Sequence, residues 1–257
     1  MKIAVAVKYT PNPYQVKIHV RTGTLLIEDV EFGVNPKDFY ALEAALRLKE
    51  KTNAEVVAVT VGGEEADEAL REALGMGVDR GVHLFDKALG FIESAVSAEI
   101  LSEYVKKVEK FDLILTGMES SDLKGGVFST RLAALLDYPF AVGARDIEVE
   151  DGSIIVVQDF FPKISKVKIP LPAVVSVSDR FGEPRYPNMW AISEAYKDDK
   201  VKKVPLEDLG LDRGIIEKYL KLRRYALYSD EEGVRRRLSG PKDEVAKSIV
   251  EVIKDYL

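Results

Sequence analysis

The chain contains no cysteine. That absence excludes disulfides, thiolate metal sites and a cysteine nucleophile, and it fits a reducing compartment. Histidine is scarce: His19 and His83 are the only two, and they lie far apart. A His-rich metal site or a Ser-His-Asp triad therefore has little support, and no metal site is assigned. No apolar run approaches the roughly 20 residues that a membrane-spanning helix needs. The N-terminal MKIAVAVKYT has a short apolar run broken by Lys8. It is too short for a signal-peptide core and reads as a first β-strand. We expect a soluble, cytoplasmic protein with no membrane insertion. A basic excess is also missing: 37 Lys and Arg stand against 43 Asp and Glu, a net charge of −6. A nucleic-acid backbone is not the expected partner.

What is present is an alternation of short apolar runs and amphipathic stretches. The 257 residues are 46% hydrophobic, enough for one large α/β domain or for a domain with an appendage. KIAVAVK (2–8), AEVVAVTVGG (54–63), GVHLFD (81–86) and DLILTG (112–117) read as strands buried on both faces of a parallel sheet. KIHVRTGTLLIEDVEF (17–32) alternates around Thr-Gly and predicts a hairpin excursion. Helices are expected from Pro36 to about Thr52, over 64–77, over 91–110 and over 127–137. Asn35 is expected to cap the first of them, and Gly77 to close the second. Such alternation gives right-handed crossovers and a doubly wound, mostly parallel sheet. Ligands in these sheets sit beyond the carboxyl ends of the strands. Here those ends are Lys8–Thr10, Val61–Gly63 and Thr116–Ser121, which we expect to converge on one crevice.

The later chain differs. Asp151-Gly152 between alternating apolar residues predicts a hairpin over 147–160. Pro170 and Pro172 require an edge or a bend near 163–179. DDKVKKVPLEDLGLD reads as a linker, and 215–228 and 243–257 read as helices of a C-terminal helical arm. The expected division is an α/β domain over 1–200 and a linker plus helical arm over 201–257. That arm either packs on a partner or folds back on its own domain. The RRR run at 235–237 is expected to be solvated or at a subunit contact.

TGMESSDLKGGVFSTRLAALL (116–136) is the stretch with the clearest chemical potential. A helix N-terminus offers unpaired N–H groups and the positive end of the dipole. Gly125 and Gly126 let a phosphate approach the backbone. Ser129 and Thr130 add hydroxyls, Lys124 adds charge, and Asp122 either bonds a ribose or caps the turn. The stretch is neither GxxxxGK[ST] nor GxGxxG, so a plain tight turn stays open. The acidic pairs Glu64–Glu65, Asp198–Asp199 and Glu231–Glu232 read as solvated surface, and His83 as a satisfied core histidine. RYPNMW (185–190) groups Tyr, Met and Trp among loop signals, which suits protein–protein contact as well as packing on the core.

Several blocks together resemble the β subunit of electron transfer flavoproteins over roughly residues 1–200. AVKYTPNPY (6–14), VNPKDFYALEAALRLKE (34–50), REALGMGVDRGVHL (71–84), LILTGMESSD (113–122), RLAALLDYP (131–139) and LPAVVSVSDRFGEPRYPNM (171–189) are similar to the family's blocks, in its order and spacing. The resemblance implies the Rossmann-like fold of the adenine-nucleotide α-hydrolase type. It implies an obligate heterodimer with an α subunit that holds most of the electron-carrying FAD. The β subunit would bind AMP, or a second FAD in electron-bifurcating members that take a hydride from NADH. Partners would be dehydrogenases or a quinone-linked oxidoreductase.

Carried over by position, Ala6, Val7 and Lys8 would lie near the adenine with Asn35 and Asp38 beside them. Val61 and Gly62 would supply backbone to the base. Gly117, Ser120 and Asp122 would line the ribose side, and Lys124, Gly125, Gly126, Val127, Phe128 and Ser129 would hold the phosphate. Tyr14 would neighbour the α-subunit flavin. Arg185, Tyr186, Met189 and Trp190 fall in the family's partner-recognition loop, with Met189 at its apolar anchor. The family's Asp-Asp-Asp-x-Asn-Gln-Thr-Gly is here DLKGGVFS (122–129), so its Asn, Gln and Thr become Gly126, Val127 and Phe128. Side-chain donors to the phosphate are lost, and the choice between AMP and FAD stays open. The alternatives are a stand-alone adenine-nucleotide sensor of the universal-stress type and an ATP-dependent ligase of the same fold. KYTPNPY is not the Ser-Gly-Gly-x-Asp-Ser loop that a ligase would need.

Overall fold

The computed structural model describes residues 1–18, 25–26, 29–89, 94–160, 162–197, 200–211 and 245–246. The chain divides into two compact units, Met1–Arg223 and Arg224–Leu257. The helices expected at 215–228 and 243–257 and the basic run at 235–237 lie outside the described residues, apart from 245–246, which are helical.

The first unit is built on a nine-stranded sheet. Its strands are β1 (Lys2–Ala6), β6 (Glu55–Gly62), β7 (Arg80–Phe85), β8 (Leu113–Gly117), β9 (Phe140–Glu150), β10 (Ser153–Phe160), β11 (Lys163–Pro170), β12 (Ala173–Val177) and β13 (Val201–Pro205). The order is β11-β10-β9-β12-β8-β1-β6-β7-β13. From β9 through β12 to β13 every neighbour pairs parallel, whereas β9, β10 and β11 are antiparallel. Two small antiparallel pairs stand apart: β2 (Tyr9–Pro11) with β5 (Phe32–Val34), and β3 (Lys17–Ile18) with β4 (Leu25–Leu26). The second pair is the expected hairpin excursion.

Helices cover both faces. On one side α1 (Asp38–Thr52) and α2 (Glu68–Met76) pack over Ile3, Val5, Leu113 and Leu115; on the other α3 (Ser94–Lys107) and α4 (Phe128–Leu136) pack over Ala4, Val57, Val59 and Ile114. Successive residues of β1 and β8 thus point into opposite cores, as the twofold strand period requires. Both faces being apolar explains why these strands read as continuous hydrophobic runs. Each fully buried aliphatic side chain contributes roughly 1.5–3 kcal/mol.

Local sequence sets the ends. Helix α1 is rich in Ala, Leu, Lys and Glu, all good helix formers, and stops where Asn53 adopts φ 53° and donates back to the Lys49 carbonyl. Gly77, at φ 116°, closes α2 as expected. The first turn of the expected 64–77 helix is instead a separate 3₁₀ turn, Glu64–Asp67. Asn35 does not cap α1. The cap position is Lys37, without a side-chain bond, because the Asn35 side chain is committed elsewhere.

The stretch expected as a linker is instead part of the sheet. Val201–Pro205 forms β13 along β7, and the 3₁₀ turn Leu206–Leu209 follows with Leu206 and Leu209 buried. The main sheet therefore runs past residue 200. Lysines and a proline disguised the strand, and they are what an edge strand carries to deter pairing with another chain. The ammonium of Lys203 lies 3.7 Å from the Phe85 ring centroid and 2.6 Å from Glu64 Oε1. At the opposite edge β11 ends on Pro170, as its prolines required.

Leu42, fully buried under the sheet from α1, tests this packing. Leu42→Ala should lower stability by about 2–5 kcal/mol, read from the urea midpoint at unchanged slope.

Candidate functional site: a crevice at the switch point of the sheet

The chain leaves β1 for β6 and β7 on one side, then returns to place β8 on the other side of β1. That reversal splays the loops at the carboxyl ends of β1 and β8 and opens a crevice there. Its walls include Ala6, Val59, Val61 and Leu101 as an apolar slot. Lys8, Asn35, Asp38, Ser120, Gly125 and Gly126 form its polar side.

One buried carboxylate organises the polar side. Asp38, the first residue of α1, accepts the Lys8 N–H at 2.8 Å and the Asn35 amide at 3.0 Å, and the Gly117 N–H as well. It thereby ties the ends of β1 and β8 to the start of α1. Burial pushes its carboxyl up to about 7, against the pull of those donors. A side chain at 117 would not fit, since a Cβ there would lie 2.3 Å from Asp38 Oδ1 and 2.9 Å from the Lys37 carbonyl carbon.

Asn35 extends the junction to the loop after β8. Its amide donates to the Glu119 carbonyl at 2.9 Å, its Oδ1 accepts the Ser121 N–H at 2.9 Å, and its own N–H donates to the Lys8 carbonyl at 2.8 Å. Farther out, Lys8 Nζ donates to Asp122 Oδ2 at 2.5 Å. Past Asp122 the backbone turns left-handed at Lys124 (φ 47°) and Gly126 (φ 63°). Helix α4 then starts with Val127 at the cap position and no side-chain cap. Its first N–H groups have no intrahelical partner.

The expected site residues divide accordingly. Ala6, Val7, Lys8, Asn35, Asp38, Val61, Gly117, Ser120, Gly125, Gly126 and Phe128 are on the crevice wall. Gly62 lines an adjoining hollow with Val61 and Lys8. Asp122 stands behind the wall on Lys8, Lys124 and Val127 face solvent, and Ser129 is buried at the start of α4. Tyr14 is 94% exposed, beside a separate groove with Pro11 and Pro13. His83 is buried with Nε2 3.2 Å from the Gly62 carbonyl, a core histidine as expected.

Sequence reasoning missed the helix α3 contribution of Ser94, Ser97 and Leu101. The signal was available, because positions i, i+3 and i+7 share one helical stripe. Small hydroxyls there leave room that larger side chains would fill.

A second feature lies over α1 and α2. Asn188 accepts the Trp190 N–H and so caps α5 (Met189–Ala195). Tyr186, Met189 and Trp190 are 87%, 76% and 80% exposed. Arg185 is bound to Glu43 and Glu50 of α1.

A family model described as electron transfer flavoprotein domain matches residues 22–209. The electron transfer flavoprotein subunit beta of Bacillus subtilis (strain 168) is 35% identical over 240 residues, 93% of this chain and 92% of the relative. The human subunit of the same name is 34% identical over 221 residues, covering 82% and 84%. The chain belongs to the electron transfer flavoprotein β-subunit family. A third relative, the caffeyl-CoA reductase–Etf complex subunit CarD of Acetobacterium woodii, is 34% identical over 198 residues, covering 77% and 76%.

Membership in the electron transfer flavoprotein β subunits implies a flavin-associated role in electron transfer beside an α subunit. Among the described residues no helix is long and apolar enough to cross a membrane. Nor do the described residues contain a cluster suited to a metal ion.

The Asp38 junction makes a prediction with a sign. The native carboxyl keeps its proton to about pH 7, whereas the unfolded one loses it near pH 4. The native state thus binds more protons between these values, and stability falls as pH rises through that window. Asp38→Asn should flatten this slope. It should also cost about 1–3 kcal/mol, because an amide N–H₂ must face a donor among Lys8, Gly117 and Asn35. Urea titrations of both proteins at several pH values read both effects.

Proposed function

We propose that this chain is the β subunit of a heterodimeric electron transfer flavoprotein and holds an adenine nucleotide in the crevice between β1 and β8. The observation that carries the proposal is the pairing of an apolar slot with a glycine turn that leads into an uncapped helix. Ala6, Val59, Val61 and Leu101 offer a dry surface to a planar base. The turn at 124–127 offers backbone donors where a phosphate would lie. The residues present therefore fit an adenine nucleotide. With the Asn, Gln and Thr side chains of the related motif absent, the phosphate would rest on these N–H groups and on Lys124.

AMP is the first reading, in which the chain is structural and holds the α subunit's flavin and a dehydrogenase in place. A second FAD is the other. It is favoured by the cation in the turn, Lys124, and by the similarity to a subunit of a reductase complex. In that form NADH would be the electron donor. A bound flavin supplies the electron-carrying chemistry, and the protein binds it, orients it and excludes water. No acid–base or nucleophilic side chain of this chain is needed. The exposed Tyr186, Met189 and Trp190 are the proposed contact with dehydrogenases or a quinone-linked oxidoreductase, since aromatic and Met side chains are enriched at such interfaces. Cytoplasmic residence completes the proposal.

Nucleotide content tests it. The chain is co-expressed with its α subunit, the complex is denatured, and released flavin and AMP are quantified per heterodimer. One FAD with one AMP is the first reading, and two FAD without AMP the second. A heterodimer carrying neither AMP nor a second FAD would overturn the assignment of the crevice.

A further inference from the structure

The segment with the exposed Tyr186, Met189 and Trp190 is held from beneath at every turn. Glu43, in the middle of α1, has a side chain only 5% exposed. Its Oε2 accepts the Arg185 N–H at 3.1 Å and Arg185 Nε at 2.8 Å, while Oε1 accepts Arg47 Nε at 2.7 Å and Arg185 Nη2 at 3.3 Å. Arg185 Nη1 reaches Glu50 Oε1 at 2.7 Å. Arg47 in turn donates to the carbonyls of Phe181 and Glu183 at 3.4 Å each. Downstream, the Asn188 N–H donates to the Gly75 carbonyl at 2.8 Å. Gly75 admits Ile192 and Pro187 so closely that a Cβ there would lie 2.4 Å from Ile192 Cγ1.

A carboxylate buried this far is tolerated only when its charge is matched. Burial opposes the Glu43 charge, but the bonds from Arg185 and Arg47 outweigh it and hold the carboxyl below its ordinary range. Arg185 also brings its backbone N–H to the same carboxylate, so the bond fixes main chain as well as side chain. A planar guanidinium bound through two nitrogens has little rotational freedom. The arrangement is costly unless the position of the segment matters. Three large apolar side chains in solvent are what it positions.

We propose that Glu43 is a positioning residue for the docking segment: through Arg185 and Arg47 it fixes the backbone from which Tyr186, Met189 and Trp190 project. It is not on the crevice wall and is only 4% exposed. Its effect is preorganisation, which removes the ordering cost that a floppy loop would pay on binding. The consequence for electron transfer rests on the proposed docking role of this segment; the ordering of the segment does not.

Trp190 is the single tryptophan of the chain and reports directly. The heterodimer is prepared with an α subunit whose tryptophans are replaced by phenylalanine. Trp190 is followed by acrylamide quenching and by fluorescence anisotropy decay. Glu43→Gln should at least double the amplitude of fast depolarisation and raise quenching, with nucleotide content unchanged. Arg185→Lys, which keeps the charge but loses the fork, should give an intermediate value and serves if Glu43→Gln does not fold. Unchanged Trp190 dynamics in either folded variant would overturn the proposal. With a purified dehydrogenase that reduces the heterodimer, Glu43→Gln should raise KM for the heterodimer several-fold and leave kcat unaltered. Trp190→Ala separates the two ideas: full electron transfer in that variant would refute the docking role while leaving the ordering result standing.

Discussion

The bond network around the Asp38 carboxylate is the constraint on which the candidate site depends. A parallel sheet whose strand order reverses must leave its loops apart at the switch point, and nothing in the sheet itself holds them at a fixed separation. Asp38 and Asn35 do so. Between them they bind Lys8 after β1, Gly117 at the end of β8, and Glu119 and Ser121 beyond it. The ring of donors satisfies the buried carboxylate, and the carboxylate in turn satisfies those donors. Glycine at 117 is part of the same device, because any side chain would occupy the space of the carboxylate.

Helix α1 carries more than one of these duties. Its first residue anchors the crevice, its apolar stripe of Ala41, Leu42 and Ala45 builds the core, and Glu43 anchors the segment at 185–192. The two polar anchors, Asp38 and Glu43, are buried and lie five residues apart on one rigid element. The crevice and the segment at 185–192 are thus referred to one rod, and the core under that rod keeps both in register with the sheet.

Much of this was legible in the sequence. The buried strands announced themselves because residues apolar on both faces make unbroken runs. The carboxyl-end crevice followed from the strand–helix alternation. Gly125 and Gly126 were readable because a turn into a helix needs them, and the resemblance added Asn35 and Asp38, which no periodicity could mark. The failures have physical causes. Asn35 looked like a cap by local sequence, but its partners Glu119 and Ser121 are more than 80 residues away. β13 was hidden because an edge strand is half solvent and protected by lysines. Ser94 and Ser97 shared a helical stripe with Leu101, but a stripe of small hydroxyls reads equally as surface. Arg185 read as a residue for a partner; its fork on Glu43 depends on tertiary contact alone.

Hydrogen exchange on the intact heterodimer, stripped of nucleotide and then reloaded with AMP or with FAD, is the most direct measurement of where this chain holds its ligand. Slowed exchange should appear together in the peptides covering 6–10, 34–38 and 116–129, which the Asp38 junction joins, and should be absent from 140–170. Reloading that leaves these peptides unchanged, or that protects only a surface elsewhere on the chain, would contradict the crevice between β1 and β8 as the nucleotide site.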